Sequence, residues 1–353
     1  MSSIYGIQNL GNTCYINVNI QLILNCKELN KLILNSKNFL QKNDLLYSYI
    51  CILKRLNEIK EEEKLEINEN DDTVYIRKLR LSSFIEKFRK IFSQVSFNQQ
   101  DCLEGLTFIL NNFHETLSKH NKNNDYKLIL ENVRYNKYIF NDCVKQFEYD
   151  ITKDHSLLFN IFYSYYLNQI KCKNCNNVNN KIEQYKEICL NLHEDKMNNN
   201  LDKMLNNYFT EEILDGYRCD KCNKKDSFKK CILLNTPKYL VIQLKRFQYS
   251  MKTNNFIKIS NEVNYPLFLD MNKYCLKDNI NTNIDNNIYE LTNIINHLGN
   301  SLDSGHYTSH HKINDKWFYA DDDDIIKIKE NDVFVNKCKI ISYVLIYEKK
   351  LTN

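Results

Sequence analysis

The sequence predicts an α+β fold, with helices gathered toward the N-terminal side and strands toward the C-terminal side. Three observations predict it. Apolar residues recur at helical spacing through roughly the first third of the chain. From about residue 160 the pattern changes to runs rich in branched and aromatic residues, which suit strands. Two Cys-x-x-Cys pairs then fall inside that β-rich part, where a small sheet can carry them.

Residues 14–25 (CYINVNIQLILN) place Ile16, Ile20, Ile23 and Leu24 on one helical face. Residues 45–67 continue in helical character and end in a solvated Glu/Lys-rich segment. FIEKFRKIF (84–92) predicts a short amphipathic helix, and 101–117 a longer one with Leu103, Leu106, Leu110, Phe113 and Leu117 in a stripe. Strands are expected at 182–192, 228–235, 239–247, 289–298, 306–313 and 340–348. Residues 118–150 are polar and irregular, and 270–288 are Asn-rich without periodicity, so both read as surface insertions.

The chain of 353 residues is long enough to bury a sizeable core in one large domain or two ordinary ones. Its net charge of +4 is modest, which argues against a nucleic-acid binder driven by a broad basic field. No apolar run approaches the ~20 residues of a membrane span. The N-terminus has no basic segment followed by an apolar stretch, so no secretory signal is expected. A cytoplasmic or nuclear protein follows, with reduced thiols. There an odd set of 13 cysteines is not a disulfide framework. Most should pack, while a few remain for a metal or a nucleophile.

Cys172-Lys-Asn-Cys175 and Cys219-Asp-Lys-Cys222 are separated by 43 residues. Each pair can aim two thiolates at one ion, and two pairs complete a tetrahedral all-sulfur site suited to Zn2+. Each follows strand-like sequence (LNQIK, then GYR), as in a zinc ribbon. Four protein ligands would close the site, which makes one structural zinc per chain the expectation. The alternative is four packing cysteines with accidental spacing.

Cys14 lies in NLGNTCYINV (9–18), between a Gly/Asn/Thr turn and the first helix. A thiol at a helix N-terminus is favoured as thiolate. Gly11 lets the backbone turn closely, Asn12 or Thr13 would cap the helix, and the Asn9 amide would donate to an oxyanion. Among eight histidines, His306 follows Gly305 in SGHYTSHH, just before a strand, and Gly305 leaves room for an approaching substrate backbone. Asp321 comes fifteen residues later, and two strands joined by a turn would place it beside His306, where it would fix the imidazole tautomer. From spacing alone these remain weighed against a packing cysteine, a hydrogen-bonded histidine and a solvated Asp run.

These segments together resemble the ubiquitin-specific protease family of cysteine deubiquitinases. GIQNLGNTCYINVNIQ (6–21) is similar to that family's cysteine box and NQQDCLEGLTFIL (98–110) to its Gln-Gln-Asp segment. YRCDKC and YLVIQLKRF are similar to the second zinc knuckle and the core strand after it. Residues 289–325 resemble the histidine box, and the similarity runs over about residues 4–348. It implies a single catalytic domain over 1–353 of papain-like, thumb–palm–fingers architecture. The helical thumb would span about 1–150, the zinc-bearing fingers about 160–235 and the β-rich palm about 236–350.

The resemblance implies Cys14 as nucleophile, His306 as general base and then acid, Asp321 as orienting acid, Asp322 as an assisting acid and Asn9 as oxyanion donor. Asp101, Gly305 and Tyr307 would bind the substrate's C-terminal tail, although Asp101 also suits a helix N-terminus. The substrate implied is ubiquitin joined through its terminal glycine to a lysine amine on another protein. Another ubiquitin-like modifier, or a weakly active ubiquitin-binding scaffold, are the alternatives. With little sequence outside the similar region, an activating protein partner is a further expectation; nucleic acid and membrane are not expected as partners. The chain departs from the family at Leu103-Glu104-Gly105, where losing an aromatic at Gly105 should remove packing. It departs again at Val18, and in IFYSYYLNQIKC, which lacks the usual glycine.

Overall fold

The computed structural model describes residues 3–36, 41–42, 44–64, 75–92, 99–118, 141–153, 155–156, 158–193, 199–251, 254–276, 287–301 and 304–350. The expected α+β class is found. The chain clusters into two compact units: Met1–His120 with Leu244–Glu262 and Thr292–Leu345, and Asn121–Gln243 with Val263–Leu291 and Ile346–Asn353. Among the described residues, no helix is long and apolar enough to cross a membrane.

The first unit carries the helices Cys14–Asn25, Lys27–Asn35, Leu45–Lys64, Ser82–Ile91 and Cys102–Ser118. The expected helix at 45–67 is seen to Lys64; residues 65–67 lie outside the described residues. The helix expected at 84–92 begins two residues earlier, at Ser82, and stops at Ile91. Tyr49 joins these helices at the core, with ring centroids 5.4 Å from Phe113 and 6.5 Å from Phe84. Each such buried ring contributes on the order of 1.5–3 kcal/mol.

Cys14–Asn25 departs from its amphipathic reading. Residues 14–23 are all buried, including Asn17, Asn19 and Gln21. Each of these three amides donates to a backbone carbonyl: Asn17 to Ile7, Asn19 to Cys102 and Gln21 to Tyr5. Polar residues at these positions therefore tie the helix to its neighbours rather than face water. Gly105 leaves no packing gap either. A Cβ there would lie 3.2 Å from both the Tyr15 ring and the Asn19 amide, so the first helix fills the space an aromatic would need.

In the same unit, His306–Ile313, Lys316–Asp321 and Asp324–Ile328 form an antiparallel meander. His306–Ile313 pairs on its other side with residues 293–298. Ser3–Ile7 pairs in parallel with Tyr75–Leu79, a contact between segments too short and too far apart in sequence for a local pattern to reveal. The strand expected at 239–247 ends at Lys245. Arg246 turns inward, wholly buried, and Phe247–Ser250 pairs with Asn255–Lys258 as a separate hairpin. The Arg246 guanidinium donates to the carbonyls of Ser342 (2.5 Å), Ile259 and Asn261 (both 2.9 Å) and Lys339 (2.6 Å). These oxygens offset part of the cost of burying the cation.

The second unit holds a four-stranded antiparallel sheet in the order Val178–Tyr185, Ser164–Cys172, Ser227–Asn235, Glu212–Leu214. The single strand expected at 182–192 is two, broken at Lys186, and Glu187–Asn191 pairs instead with the strand that begins at Tyr239. Gly216–Arg218, expected as a strand before Cys219, has no strand geometry. Part of the irregular segment expected at 118–150 is a helix, Asn141–Lys153. Its Val144, Phe147 and Ile151 pack on Tyr165, Leu167 and Ile182. Five apolar residues among eight polar ones, with Tyr149 exposed, gave too weak a period to read. Residues 119–140 of that segment, and 277–286 of the Asn-rich one, lie outside the described residues. Near the latter, Tyr274 stacks on Phe209 at 4.5 Å.

Candidate active site

The turn before Cys14 is made by two left-handed residues, Gly11 (φ 85°) and Asn12 (φ 50°). Glycine enters that region without cost and Asn tolerates it. Thr13 occupies the N-cap position, and its side chain makes no cap hydrogen bond, contrary to the expectation for that residue. The Thr13 hydroxyl instead accepts the Leu10 N–H at 2.9 Å and donates to Asn9 Oδ1 at 3.3 Å. Asn9 Oδ1 also collects the N–H groups of Gly11 (3.0 Å) and Thr13 (3.2 Å), closing the turn. From the neighbouring helix, Arg89 donates to the Gly11 carbonyl at 2.5 Å. Cys14 thus opens the helix, at the end where the macrodipole favours negative charge.

His306 begins its strand beside this thiol. Its Nε2 lies 2.5 Å from Asp321 Oδ1, at the end of the strand Lys316–Asp321. The ring is raised to about 9: the nearby Cys14 side chain favours its charged form most, burial opposes this, and Asp321 adds to the rise. Asp322 follows in a left-handed conformation (φ 49°), with its carboxylate 3.9 Å from the His306 Nε2. Asn9 Nδ2 donates to Asp322 Oδ2 at 2.8 Å, and Asn17 Nδ2 to Asp322 Oδ1 at 2.7 Å. His306 with Asp321, and Asn9 and Asn17 with Asp322, thus form two hydrogen-bonded sets, 3.9 Å apart between the His306 Nε2 and Asp322.

The three residues expected around a substrate tail each have defined partners. Asp101 stands at the start of the helix Cys102–Ser118, accepting the Leu103 N–H at 2.7 Å and the Glu104 N–H at 3.3 Å, while the Tyr343 hydroxyl donates to its other oxygen. Gly305 donates its N–H to the Gln99 side chain. A Cβ on Gly305 would lie 2.5 Å from both His297 Nε2 and the Leu298 carbonyl, so that glycine is needed by its own neighbours. Tyr307 is buried, with its ring 4.9 Å from His297 and 6.3 Å from Tyr343.

Sequence reasoning missed four participants: Asn17, Gln99, Tyr343 and His297. His297 receives the Lys258 ammonium at Nδ1 (3.1 Å), which also donates to the carbonyls of His297 (2.8 Å) and Gly299 (2.6 Å). Burial first, then Lys258 and His306, pull His297 down to about 4, and burial pulls Lys258 down to about 8. Only Asn17 left a signal, a polar residue three positions after Cys14 in an apolar run.

In the second unit, Cys172, Cys175, Cys219 and Cys222 place their sulfurs within 4.8 Å of one another. The two pairs have the same local shape. Asn176 and Asn223 are both left-handed (φ 53° and 60°), and their N–H groups return to the carbonyls of Cys172 (3.0 Å) and Cys219 (2.8 Å). The Sγ atoms of Cys172 and Cys222, and those of Cys175 and Cys219, are 3.6 Å apart. Zinc–thiolate bonds of about 2.3 Å at tetrahedral angles separate sulfurs by about 3.8 Å, so the cluster fits that size. The Cys175 N–H pulls the Cys172 thiol down to about 6, and the Cys222 N–H lowers Cys219. The Lys224 N–H favours the Cys222 thiolate too, yet burial and the three other cysteines push it up to about 12. Four sulfurs placed in this way could hold a metal ion.

The family model described as "Ubiquitin carboxyl-terminal hydrolase" matches residues 5–347. The chain belongs to that family. Among curated ubiquitin carboxyl-terminal hydrolases, one called "Ubiquitin carboxyl-terminal hydrolase 4" from Candida glabrata is 28% identical over 374 aligned residues, covering 98% of this chain and 40% of its own. One of the same name from Arabidopsis thaliana is 26% identical and covers 98% and 93%. The chain therefore spans about two fifths of the length of the first relative and nearly all of the second. Among solved structures, a SAGA DUB module of Ubp8, Sgf11, Sus1 and Sgf73 bound to monoubiquitin has a TM-score of 0.72 at 21% identity, covering 99% of this chain and 69% of that one. The module bound to ubiquitin aldehyde has a TM-score of 0.69 at 22% identity, covering 99% and 70%. This likeness shows that the ubiquitin carboxyl-terminal hydrolase fold extends across the chain.

Proposed function

We propose that this chain is a thiol-dependent deubiquitinase that hydrolyses the isopeptide or peptide bond after the C-terminal glycine of ubiquitin. The observation that carries the reading is the row Cys14–His306–Asp321 at a helix N-terminus, with His306 Nε2 2.5 Å from Asp321. Family membership and the names of the relatives support the substrate class.

In this reading the Cys14 sulfur attacks the glycine carbonyl carbon, and the carbonyl π pair moves to oxygen. The Asn9 amide and the first N–H groups of the helix stabilise that oxyanion. His306, protonated through its place between sulfur and Asp321, gives its proton to the leaving lysine amine as the C–N bond breaks. A thioester remains on Cys14. Neutral His306 then removes a proton from water, which attacks the thioester carbonyl and releases Cys14. Asp321 holds the ring tautomer and stabilises the imidazolium. Asp101, Gly305 and Tyr307 are the proposed tail-binding residues.

Cys172, Cys175, Cys219 and Cys222 would hold one zinc ion. Bound there it supplies neutralisation of thiolate charge and a cross-link between two turns of the sheet, with all four positions taken by protein. The solved neighbour is a complex with ubiquitin and further subunits. By that likeness we include ubiquitin, ubiquitinated proteins and an activating protein subunit among the proposed partners, in the cytoplasm or nucleus.

Ubiquitin carrying a C-terminal propargyl amide tests the reading. One covalent adduct per chain is expected, absent in Cys14→Ala. Adducts with another modifier's probe but none with ubiquitin would overturn the substrate. Ubiquitin binding without any adduct would overturn the enzyme.

A further inference from the structure

Asn17 stands one helical turn from Cys14 and is only 2% exposed, so its amide must find partners inside the protein. Both hydrogens of Nδ2 are committed, one to the Ile7 carbonyl at 3.1 Å and one to Asp322 Oδ1 at 2.7 Å. Both partners accept only, so the amide has one allowed orientation: flipped, its oxygen would face a carbonyl and a carboxylate. The other Asp322 oxygen accepts from Asn9 Nδ2 at 2.8 Å. The Asp322 backbone is pinned as well, its carbonyl accepting the Ile7 N–H at 2.8 Å.

Asn9 is exposed, so the direction of its amide rests on hydrogen bonds at its two ends. Its oxygen is occupied by the turn and one Nδ2 hydrogen by Asp322. The second Nδ2 hydrogen is the one left to meet a ligand. The chain of contacts runs from a buried helix residue, through a carboxylate, to an exposed amide in the turn that precedes Cys14, and its hydrogen bonds do not pass through His306 or Asp321.

We propose that Asn17 is a positioning residue: acting through the Asp322 carboxylate, it holds the Asn9 amide in the orientation that receives the oxyanion formed at Cys14. The inference rests on the thiol–acyl chemistry proposed above and specifies which buried residue sets its oxyanion donor. Asn17→Asp keeps the shape and places a carboxylate against Asp322. Asn17→Ala removes both bonds.

Two small reagents separate this role from a merely structural one. With p-nitrophenyl acetate the Cys14 sulfur bonds to the carbonyl carbon, an oxyanion forms, and its collapse expels p-nitrophenolate. With iodoacetamide the sulfur bonds to carbon as iodide leaves, and no oxyanion forms. Both modifications are read by mass spectrometry on the Cys14 peptide, for wild type, both Asn17 variants, Asn9→Ala and Asn17→Ala/Asn9→Ala. Acylation should fall about tenfold or more in the Asn17 variants, while alkylation stays within about twofold and keeps its pH profile. The double variant should match Asn9→Ala alone, because both changes remove one interaction. Equal losses with both reagents, multiplying effects in the double variant, or unchanged acylation in both Asn17 variants would overturn the proposal. Should Asn17→Asp unfold, Asn17→Ala with a wild-type thermal midpoint carries the comparison. Neither reagent is ubiquitin, so a failed ubiquitin assay counts against the substrate and leaves this ratio readable.

Discussion

The thiol group of the first unit and the four-cysteine cluster of the second use the same side chain in opposite ways. Around Cys14, the partners come from distant segments: Asn9 and Asn17 from the N-terminus, His306, Asp321 and Asp322 from the meander. Orientation there depends on directional bonds among amides, an imidazole and carboxylates, such as the 2.7–2.8 Å contacts at Asp322. Around Cys172 and Cys219, two short turns of the same shape supply everything, and the sulfurs already stand 3.6 Å apart in pairs. A reactive thiol needs one face left open and the others held; a structural cluster needs all four directions closed. The first arrangement is exposed to change at many remote positions, the second mainly at its own four sulfurs.

The largest break in this contrast should come from Asp321→Asn. Losing the carboxylate lets the His306 ring adopt the wrong tautomer, and kcat should fall by about three to four orders of magnitude. His306 is raised to about 9 by Cys14 and then Asp321. Turnover in the wild type should therefore decline above about pH 9, as the ring loses the proton it gives to the leaving group. In Asp321→Asn that alkaline limb should move to lower pH. An unmoved limb in a pH–rate series would remove Asp321 from the row.

Cys219→Ser should act on the other unit. Metal analysis should fall from about one zinc per chain to near none, with faster hydrogen exchange in Ser164–Cys172 and Ser227–Asn235. Folded wild-type protein free of zinc would sink the assignment.

Gly6→Ala sharpens the remoteness of the first site. A Cβ at Gly6 would lie 2.2 Å from the Asp323 carbonyl oxygen, so the turn carrying Asp322 must shift. A stability loss of about 1–3 kcal/mol is expected from forced overpacking, with a fall in turnover, although residue 6 touches no reacting atom. Denaturant melts and kcat measured together decide it; a neutral substitution would mean the turn adapts freely.

The most gradual effect is a pH dependence of stability arising from the meander and its neighbour. Burial pulls His297 and His310 down to about 4 and His311 to about 3. Unfolded, each titrates near 6.5, so the unfolded state binds protons that the folded state refuses. Their contribution is complete above about pH 6.5 and is lost as pH falls from there toward 4, by up to about 1.4 kcal/mol per unit for each histidine. His306 has the opposite sign: its raised value adds stability below about 6.5 that is lost as pH rises through 9. Urea midpoints between pH 7 and 5 should fall, and a flat profile would mean water reaches these rings.

Much of the fold was legible because it is local. The helix at 14–25 and the strand at 306–313 are found at their expected bounds, since runs of like period report their own conformation. The expected strand at 182–192 failed because its turn at Lys186 carries no Gly or Pro. The helix Asn141–Lys153 was hidden because its apolar face is three residues wide. At the site, Cys14 and His306 stood out by their neighbours. His297, Tyr343 and Gln99 did not, because what distinguishes them is whom they touch.

By itself the sequence determined the α+β class, the pairing of the two Cys-x-x-Cys turns and the few residue types able to do thiol chemistry. These follow from periodicity, residue spacing and side-chain chemistry, all properties of neighbours along the chain. Only the tertiary structure decided that Asn17 points at Asp322, that Gly6 must be bare beneath Asp323, and that Tyr15 occupies the space beside Gly105. Those facts depend on directions and distances between segments as far apart as residues 17 and 322, and hydrogen bonds and close packing are settled by geometry within a few tenths of an ångström.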